Sequence, residues 1–160
     1  MESLSTLLRF KQHVFLKTMS DLPIVQQCIV EASSLYEVPA PLIKSILDVE
    51  GGGKGVVAKN RNGTEDLGWA QINTVWLPVL ENYRITRHDL LHDPCINIGV
   101  AAWILRKRFA KYENWEDAIA SYNAGFRLQY GRNYAKKVMA KWVLYNEQYK
   151  VNSFTFAMNQ

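Results

Sequence analysis

Glu50 is the residue of this sequence best suited to proton chemistry. It ends an apolar helical pattern and is followed directly by the glycines of residues 51–53. Ile43, Ile46 and Leu47 precede it at helical spacing, so the carboxyl shares the face that the helix buries. Burial raises a carboxyl pKa, and a carboxyl that stays protonated near neutrality can act as a general acid. The alternative is a charged side chain that reaches into water from a frayed helix end.

The elements that position this carboxyl are visible in the apolar spacing. We predict helices over about Pro23 to Tyr36, Pro41 to Glu50, Thr74 to Tyr83, Asp93 to Tyr112, Asn114 to Tyr122 and Asn133 to Gln148. Residues 51–68 hold six of the nine glycines and the Asn62-Gly63 pair, a signal for a tight hairpin turn, and we expect strands here alone. The sequence therefore predicts an α+β fold, predominantly α, with a small β-hairpin region between helices.

Composition indicates one soluble globular domain. The chain has 160 residues, of which 48% are hydrophobic and 21% charged, which suits a domain with a substantial core. We expect an N-terminal segment over residues 1–20, the domain over 21–150 and a loose C-terminal tail over 151–160. No stretch approaches the roughly 20 apolar residues of a membrane span. Polar and charged side chains interrupt every apolar run of residues 1–20, so no signal peptide is visible there.

The charge balance favours anionic partners. The formal charge is +4, which suits nucleic acid, anionic lipid or an acidic cell-wall polymer, and charge alone does not choose among them. The lysines and arginines of residues 106–111 and 127–141 follow the spacing of solvent-exposed helix faces. We therefore expect no nucleic-acid partner.

Two cysteines and two histidines leave alternatives open. Cys28 and Cys95 are either buried thiols or the ends of a disulfide, and the redox compartment decides between these states. His88 and His92 share a helix face and could bind a metal ion together with Cys95. Because Pro94 breaks the run before Cys95 and no fourth ligand suggests itself, we expect no metal and no cofactor.

Four short sequence blocks follow one another at compatible spacing. They are Glu50, then Gly68-Trp69-Ala70-Gln71-Ile72, then Tyr122-Asn123-Ala124-Gly125, then Tyr134 with Val138. In this order they resemble the Glu, Gly-Leu-Met-Gln, Tyr-Asn-Ala-Gly and Tyr-x-x-x-Val blocks of the soluble lytic transglycosylase (SLT) domain, which has a lysozyme-like fold. The resemblance covers about Cys28 to Tyr145. It is greatest to the small transglycosylases that accompany secretion, pilus and conjugation machineries, where two cysteines in these places also occur.

The resemblance implies cleavage of the β linkage between N-acetylmuramic acid and N-acetylglucosamine in peptidoglycan. Glu50 would protonate the glycosidic oxygen while the acetamido group of the substrate stabilises the positive centre. The same residue would then accept the proton of the muramic acid's primary hydroxyl as an anhydro ring closes. The resemblance also places Tyr134 near this acid. It places four further residues in the sugar groove, namely Gln71, Asn73, Tyr122 and Asn123. Two of these have plainer interpretations, Tyr122 as a core tyrosine and Asn73 as a helix cap.

Further expectations follow from the same resemblance. It implies a disulfide between Cys28 and Cys95 and a location in the periplasm or cell envelope. The implied partners are peptidoglycan glycan strands and components of a secretion, pilus or conjugation machinery. We expect a monomer.

Asp66 divides two chemistries. The stretch from Asn60 to Asn73 resembles the hairpin of animal-type lysozymes, with Asp66 where those enzymes carry their second carboxylate. A second carboxylate would serve as nucleophile or stabiliser in a hydrolase, whereas most transglycosylases rely on the substrate's acetamido group. The plainer interpretation of Asp66 is a turn residue that bonds its own backbone.

Gly51 departs from the family pattern, which usually has serine after the catalytic glutamate. Without that hydroxyl, we expect backbone amides of the glycine run to set the geometry near Glu50. The missing serine also leaves open a catalytically impaired module that only binds peptidoglycan.

Overall fold

Helices form most of the described chain, and a small sheet interrupts them. The structure is a computed structural model that describes residues 23–158, with side chains through residue 152. The helices are α1 (Ile24–Tyr36), α2 (Ala40–Glu50), α3 (Leu77–Leu80), α4 (Arg87–His92), α5 (Pro94–Tyr112), α6 (Trp115–Ala124) and α7 (Leu128–Met158). The strands are β1 (Val57–Lys59), β2 (Glu65–Leu67) and β3 (Ile72–Asn73). The predicted α+β class, predominantly α, is confirmed.

Helix α2 forms as its sequence predicts. Pro39 is its N-cap, a further proline lies in its first turn, and Gly51 ends it in the left-handed region at φ +63°. Ile43 and Ile46 are fully buried, so the predicted apolar face is the one that the fold covers. Glu50, on the same face, is partly buried at the last position of the helix.

The sheet differs from the predicted hairpin in two ways. Strands β1 and β2 pair antiparallel with Lys59 opposite Glu65, so residues 60–64 connect them instead of a two-residue turn. The Asn60 amide donates to the Thr64 carbonyl oxygen at 2.9 Å and closes this longer loop. The expectation of strands in residues 51–68 alone is wrong, because β3 pairs with the other edge of β2.

The core has two parts. The first lies among α1, α2, α5, α6 and α7 and includes the buried side chains Ile29, Ile43, Leu105, Ile119 and Val138. The second lies between the sheet and α3, α4 and α5 and includes Leu67, Ile72, Leu80, Leu90 and Ile104. Helix α5 contributes to both parts, and a disulfide between Cys28 and Cys95 ties its first turn to α1.

Two helix predictions are wrong in their extent, and one helix was not predicted. The segment from Thr74 to Tyr83 is two 3₁₀ turns, Thr74–Trp76 and Glu81–Tyr83, on either side of the single-turn α3. Helix α4 was not predicted, although Thr86 and Asp89 form a capping box at its start.

Helix α7 begins five residues before Asn133 and continues past Gln148 to Met158. Its early start depends on Gly131, because a Cβ there would lie 2.2 Å from the Ala120 carbonyl oxygen of α6. A glycine that suggests a helix stop is here the residue that lets two helices pack closely. The predicted loose tail over 151–160 is wrong for residues 151–158, which are helical.

The described part of the chain contains no helix of the length and apolarity needed to cross a membrane. The predicted N-terminal segment of residues 1–20 lies outside the described residues, and the boundary of the domain stays a prediction.

Candidate active site

An open cleft of about 700 Å³ lies between the sheet and helices α5 and α6. The end of α2 lies against it. Six of the seven residues predicted for catalysis and sugar binding line this cleft, namely Glu50, Asp66, Gln71, Asn73, Tyr122 and Asn123. The fold therefore brings together residues that lie up to 73 positions apart in the sequence.

Among the described residues, the Glu50 carboxyl has one hydrogen-bond partner. The Tyr134 hydroxyl, on α7, donates to Glu50 Oε1 at 2.6 Å. Burial raises the pKa of Glu50 to about 7, the Tyr134 hydrogen bond opposes that rise, and the nearby Asp66 charge adds to it. Burial and the adjacent Glu50 also raise the pKa of Tyr134 well above its usual value, so its hydroxyl stays protonated as a donor. Such a carboxyl is available as a proton donor near neutral pH.

Gly52 lets the chain pack tightly behind Glu50. A Cβ at Gly52 would lie 2.0 Å from the Gly68 carbonyl oxygen, so any side chain there would displace the loop that follows β2. The Gly51 amide donates to the Leu47 carbonyl oxygen at 3.0 Å as part of the helix end. The Glu50 carboxyl bonds to the Tyr134 hydroxyl and not to an amide of residues 51–53 in the described structure, so the expectation that these amides set its geometry is wrong.

Asp66 lies in strand β2 and is held from both sides by side-chain amides. Asn73 Nδ2 donates to Asp66 Oδ1 at 2.8 Å, and Asn60 Nδ2 donates to Asp66 Oδ2 at 3.0 Å. The Thr64 hydroxyl accepts from the same two amides at 3.0 and 3.1 Å. The interpretation of Asp66 as a turn residue bonded to its own backbone is wrong, since it pairs opposite Ala58 within the sheet.

Gln71 and Asn73 line the cleft and also shape its wall. Gln71 has a left-handed backbone at φ +52°, and its Nε2 donates to the Gly68 carbonyl oxygen at 2.8 Å. Asn73 caps the following 3₁₀ turn, because its Oδ1 accepts from the Val75 amide at 2.9 Å. The predicted cap at Asn73 is thus present, and the same side chain still lies in the cleft.

Tyr122 connects helix α6 to the loop between β2 and β3. Its hydroxyl donates to the Ala70 carbonyl oxygen at 2.8 Å, and its ring stacks on Tyr134 with centroids 6.5 Å apart. Tyr122 is therefore both a packed tyrosine and a residue of the cleft wall. Asn123, the next residue, is exposed and also lines the cleft.

Asn97 positions the loop between β2 and β3, and its role was not predicted from the sequence. This fully buried side chain donates to the carbonyl oxygens of Leu67 and Leu90 at 2.9 and 2.8 Å and accepts from the Ala70 amide at 2.8 Å. A Cβ at Gly68 would lie 2.4 Å from Asn97 Nδ2, so the glycine is needed for this contact. The available signal was one amide side chain among the apolar residues of α5, which must find partners when buried.

Comparison with known proteins agrees with this arrangement. Residues 27–143 match the family model described as the transglycosylase SLT domain, which is well over half of the chain. The chain belongs to the SLT domain family. The predicted resemblance is confirmed, and the helical fold with its small antiparallel sheet is that of the lysozyme-like SLT domains.

Curated relatives of this SLT domain are also found. The "Invasion protein IagB" of Salmonella typhimurium (strain LT2) is 34% identical over 115 residues, covering 69% of this chain and 72% of the relative. The "Peptidoglycan-binding-like protein" of Escherichia coli O157:H7 is 33% identical over 131 residues, covering 75% and 78%. The "Protein IpgF" of Shigella flexneri is 32% identical over 99 residues, covering 61% and 65%.

The alternative interpretation of His88, His92 and Cys95 as ligands of one metal ion is wrong. Cys95 is bonded to Cys28 and has no free thiol to offer a metal ion. His88 and His92 lie with ring centroids 4.5 Å apart on α4. Within residues 23–158, no group of three or more His, Cys, Asp or Glu side chains is arranged to hold a metal.

Proposed function

We propose that this SLT domain is a peptidoglycan lytic transglycosylase that leaves 1,6-anhydromuramoyl ends. The observation that carries the proposal is the state of Glu50. Its carboxyl opens on the cleft, accepts a hydrogen bond from Tyr134 at 2.6 Å and has a pKa raised to about 7 by burial. A carboxyl at this pKa can give a proton and take one back at the same working pH.

The chemistry uses that property twice. Glu50 donates its proton to the glycosidic oxygen as the bond from muramic acid C1 to that oxygen breaks. The acetamido oxygen of the muramic acid stabilises the cationic C1. The Glu50 carboxylate then accepts the proton of the C6 hydroxyl, whose oxygen bonds to C1 and closes the anhydro ring. Glu50 ends the cycle protonated, and no water is consumed.

Asp66 supports a second candidate, hydrolysis by a lysozyme-like muramidase. It lines the same cleft, and its charge acts on Glu50. In hydrolases of that type the second carboxylate is a nucleophile or stabilises the cation. Against this, two side-chain amides hold both of its oxygens, which makes it a support of the hairpin. We therefore assign Glu50 as the only acid and base.

The cellular setting is part of the proposal. A disulfide between Cys28 and Cys95 suits an oxidising compartment such as the periplasm or cell envelope. One relative is named an invasion protein and another a peptidoglycan-binding-like protein. We propose that the protein acts on the wall locally, beside a secretion, pilus or conjugation apparatus.

Mass spectrometry of purified peptidoglycan digested with the protein tests the function. We expect anhydro ends from the wild-type protein and a loss of at least about 100-fold in rate for Glu50→Gln, because an amide cannot donate the acid proton. Asp66→Asn should lose activity modestly and keep anhydro products. Glu81→Gln, an exposed change outside the cleft, is the control and should keep full activity.

Each other outcome contradicts a named part of the proposal. Reducing ends, together with an Asp66→Asn variant as inactive as Glu50→Gln, would identify a hydrolase. Intact glycan that still binds to the wild-type protein would identify a binding module.

A further inference from the structure

Arg108 on α5 is a charged residue of the cleft that the proposed chemistry does not use. It lines the cleft one helical turn beyond Ile104. Its guanidinium carbon lies 4.9 Å from the ring centre of Phe126 and 5.5 Å from that of Trp76. These two rings hold a cation beside the groove in which the glycan is proposed to bind.

No carboxylate of the described residues pairs with Arg108. Three other arginines do have such partners: Arg87 pairs with a glutamate of β2, Arg106 with one after α1, and Arg132 with two acidic residues of α6. Arg108 Nε is buried and has no hydrogen-bond acceptor in the described part of the chain. A partly buried guanidinium without a partner is costly, and a bound anion would offset that cost.

Ser121 provides a second observation in the same cleft. This residue of α6 is 1% exposed and lines the cleft, and its hydroxyl has no hydrogen-bond partner among the residues that the structure describes. The cleft that Arg108 lines thus contains another unsatisfied polar group, which is unusual in a folded protein. Arg61 is a further cation of the cleft, but it is exposed in the hairpin loop.

We propose that Arg108 forms an anion subsite that binds a carboxylate on the 3-O-lactyl substituent of muramic acid. This inference rests on the proposed function. A guanidinium is planar and matches the two oxygens of a carboxylate, which a neutral sugar does not offer. The carboxylate comes from one of two sources, the peptide attached to the lactyl group or the free lactyl group once the peptide is gone. The subsite selects muramic acid chains over uncharged glycans.

Isothermal titration calorimetry tests the subsite on the Glu50→Gln protein, which should leave the ligands intact. The three ligands are a peptide-bearing muramic acid tetrasaccharide, the same tetrasaccharide without peptides, and neutral chitotetraose. Adding Arg108→Gln should weaken binding of at least one carboxylate ligand about tenfold, while chitotetraose binding stays unchanged. Weaker binding of the peptide-bearing tetrasaccharide alone identifies a peptide carboxylate. Weaker binding of the tetrasaccharide without peptides identifies the lactyl carboxylate.

Two further variants separate charge from folding. Lys107→Gln removes a neighbouring cation of α5 that lies over Trp103 and outside the cleft, so all three affinities should persist. Arg108→Lys keeps the charge without the planar fork and should lose part of the carboxylate affinity only. Equal weakening of all three ligands in both Arg108 variants, or no weakening in either, would overturn the subsite while leaving the proposed function standing. Failure of all three ligands to bind the Glu50→Gln protein would overturn both.

Discussion

The buried carboxyl of Glu50 should cost the protein stability as the pH rises. Its pKa is about 7 in the folded protein against 4.5 for an ordinary glutamate. Below pH 4.5 both the folded and the unfolded states bind the proton, so there is no cost. Between pH 4.5 and about pH 7, Glu50 ionises more readily in the unfolded chain than in the folded protein. The free energy of unfolding therefore falls until the pH passes the folded pKa. The difference between about 7 and 4.5, at about 1.36 kcal/mol per pH unit, amounts to about 3 kcal/mol.

Glu50→Gln removes this pH dependence because an amide does not titrate. The variant should therefore gain about 3 kcal/mol over the wild-type protein between pH 4 and pH 8, while it loses cleavage activity. Urea denaturation of both proteins at the two pH values measures the difference in the free energy of unfolding. The exposed Glu81→Gln change serves as the control for loss of a glutamate.

The decisive quantity is the change, from pH 4 to pH 8, in the stability difference between the Glu50→Gln variant and the wild-type protein. A stability difference that is the same at pH 4 and pH 8 would mean that the Glu50 pKa is not raised in the folded protein. The acid assignment would then lose its physical basis, even if the variant were inactive. A difference of about 3 kcal/mol that appears only at the higher pH is the expected result.

Two further predictions concern the surroundings of this carboxyl. Tyr134→Phe removes the hydrogen bond that lowers the Glu50 pKa. The alkaline limb of the pH–rate profile for anhydro product release should therefore move to higher pH, while the maximal rate falls. A limb that stays at the same pH would contradict the assigned contact. Replacing both Cys28 and Cys95 with alanine opens a loop of 67 residues. In urea denaturation this should lower the free energy of unfolding by about 4 kcal/mol. A loss below about 1 kcal/mol would count against a structural role for the disulfide.

The part of the site that follows from local sequence is the acid and its helix. Apolar spacing with Ile43 and Ile46 predicts which face α2 buries, and the glycines after Glu50 predict where it ends. These depend only on helical periodicity and chain stiffness, which act over a few residues. The four family blocks then predicted which distant residues would lie near Glu50 at the end of α2.

The contacts that set the chemistry depend on tertiary packing. Nothing local indicates that Tyr134 would donate to Glu50, because the two residues are 84 positions apart on different helices. The same holds for Asn97, whose three hydrogen bonds join segments that are 7 to 30 positions away. Arg108 resembled an ordinary solvent-facing charge until the fold placed it beside Phe126.

The opposing influences on Glu50 explain why the proposed reaction can use a single carboxyl. Burial alone would favour a permanently protonated acid, which could donate its proton but would hold the next one too tightly to act as a base. The Tyr134 hydroxyl stabilises the charged form and counteracts part of that rise, which leaves a pKa of about 7. Because the two protonation states then differ little in free energy near neutral pH, Glu50 can give its proton to the leaving oxygen and accept another from the C6 hydroxyl. The Tyr134 hydroxyl of α7 is thus the group that stabilises the charged carboxylate in a chain that has glycine at position 51.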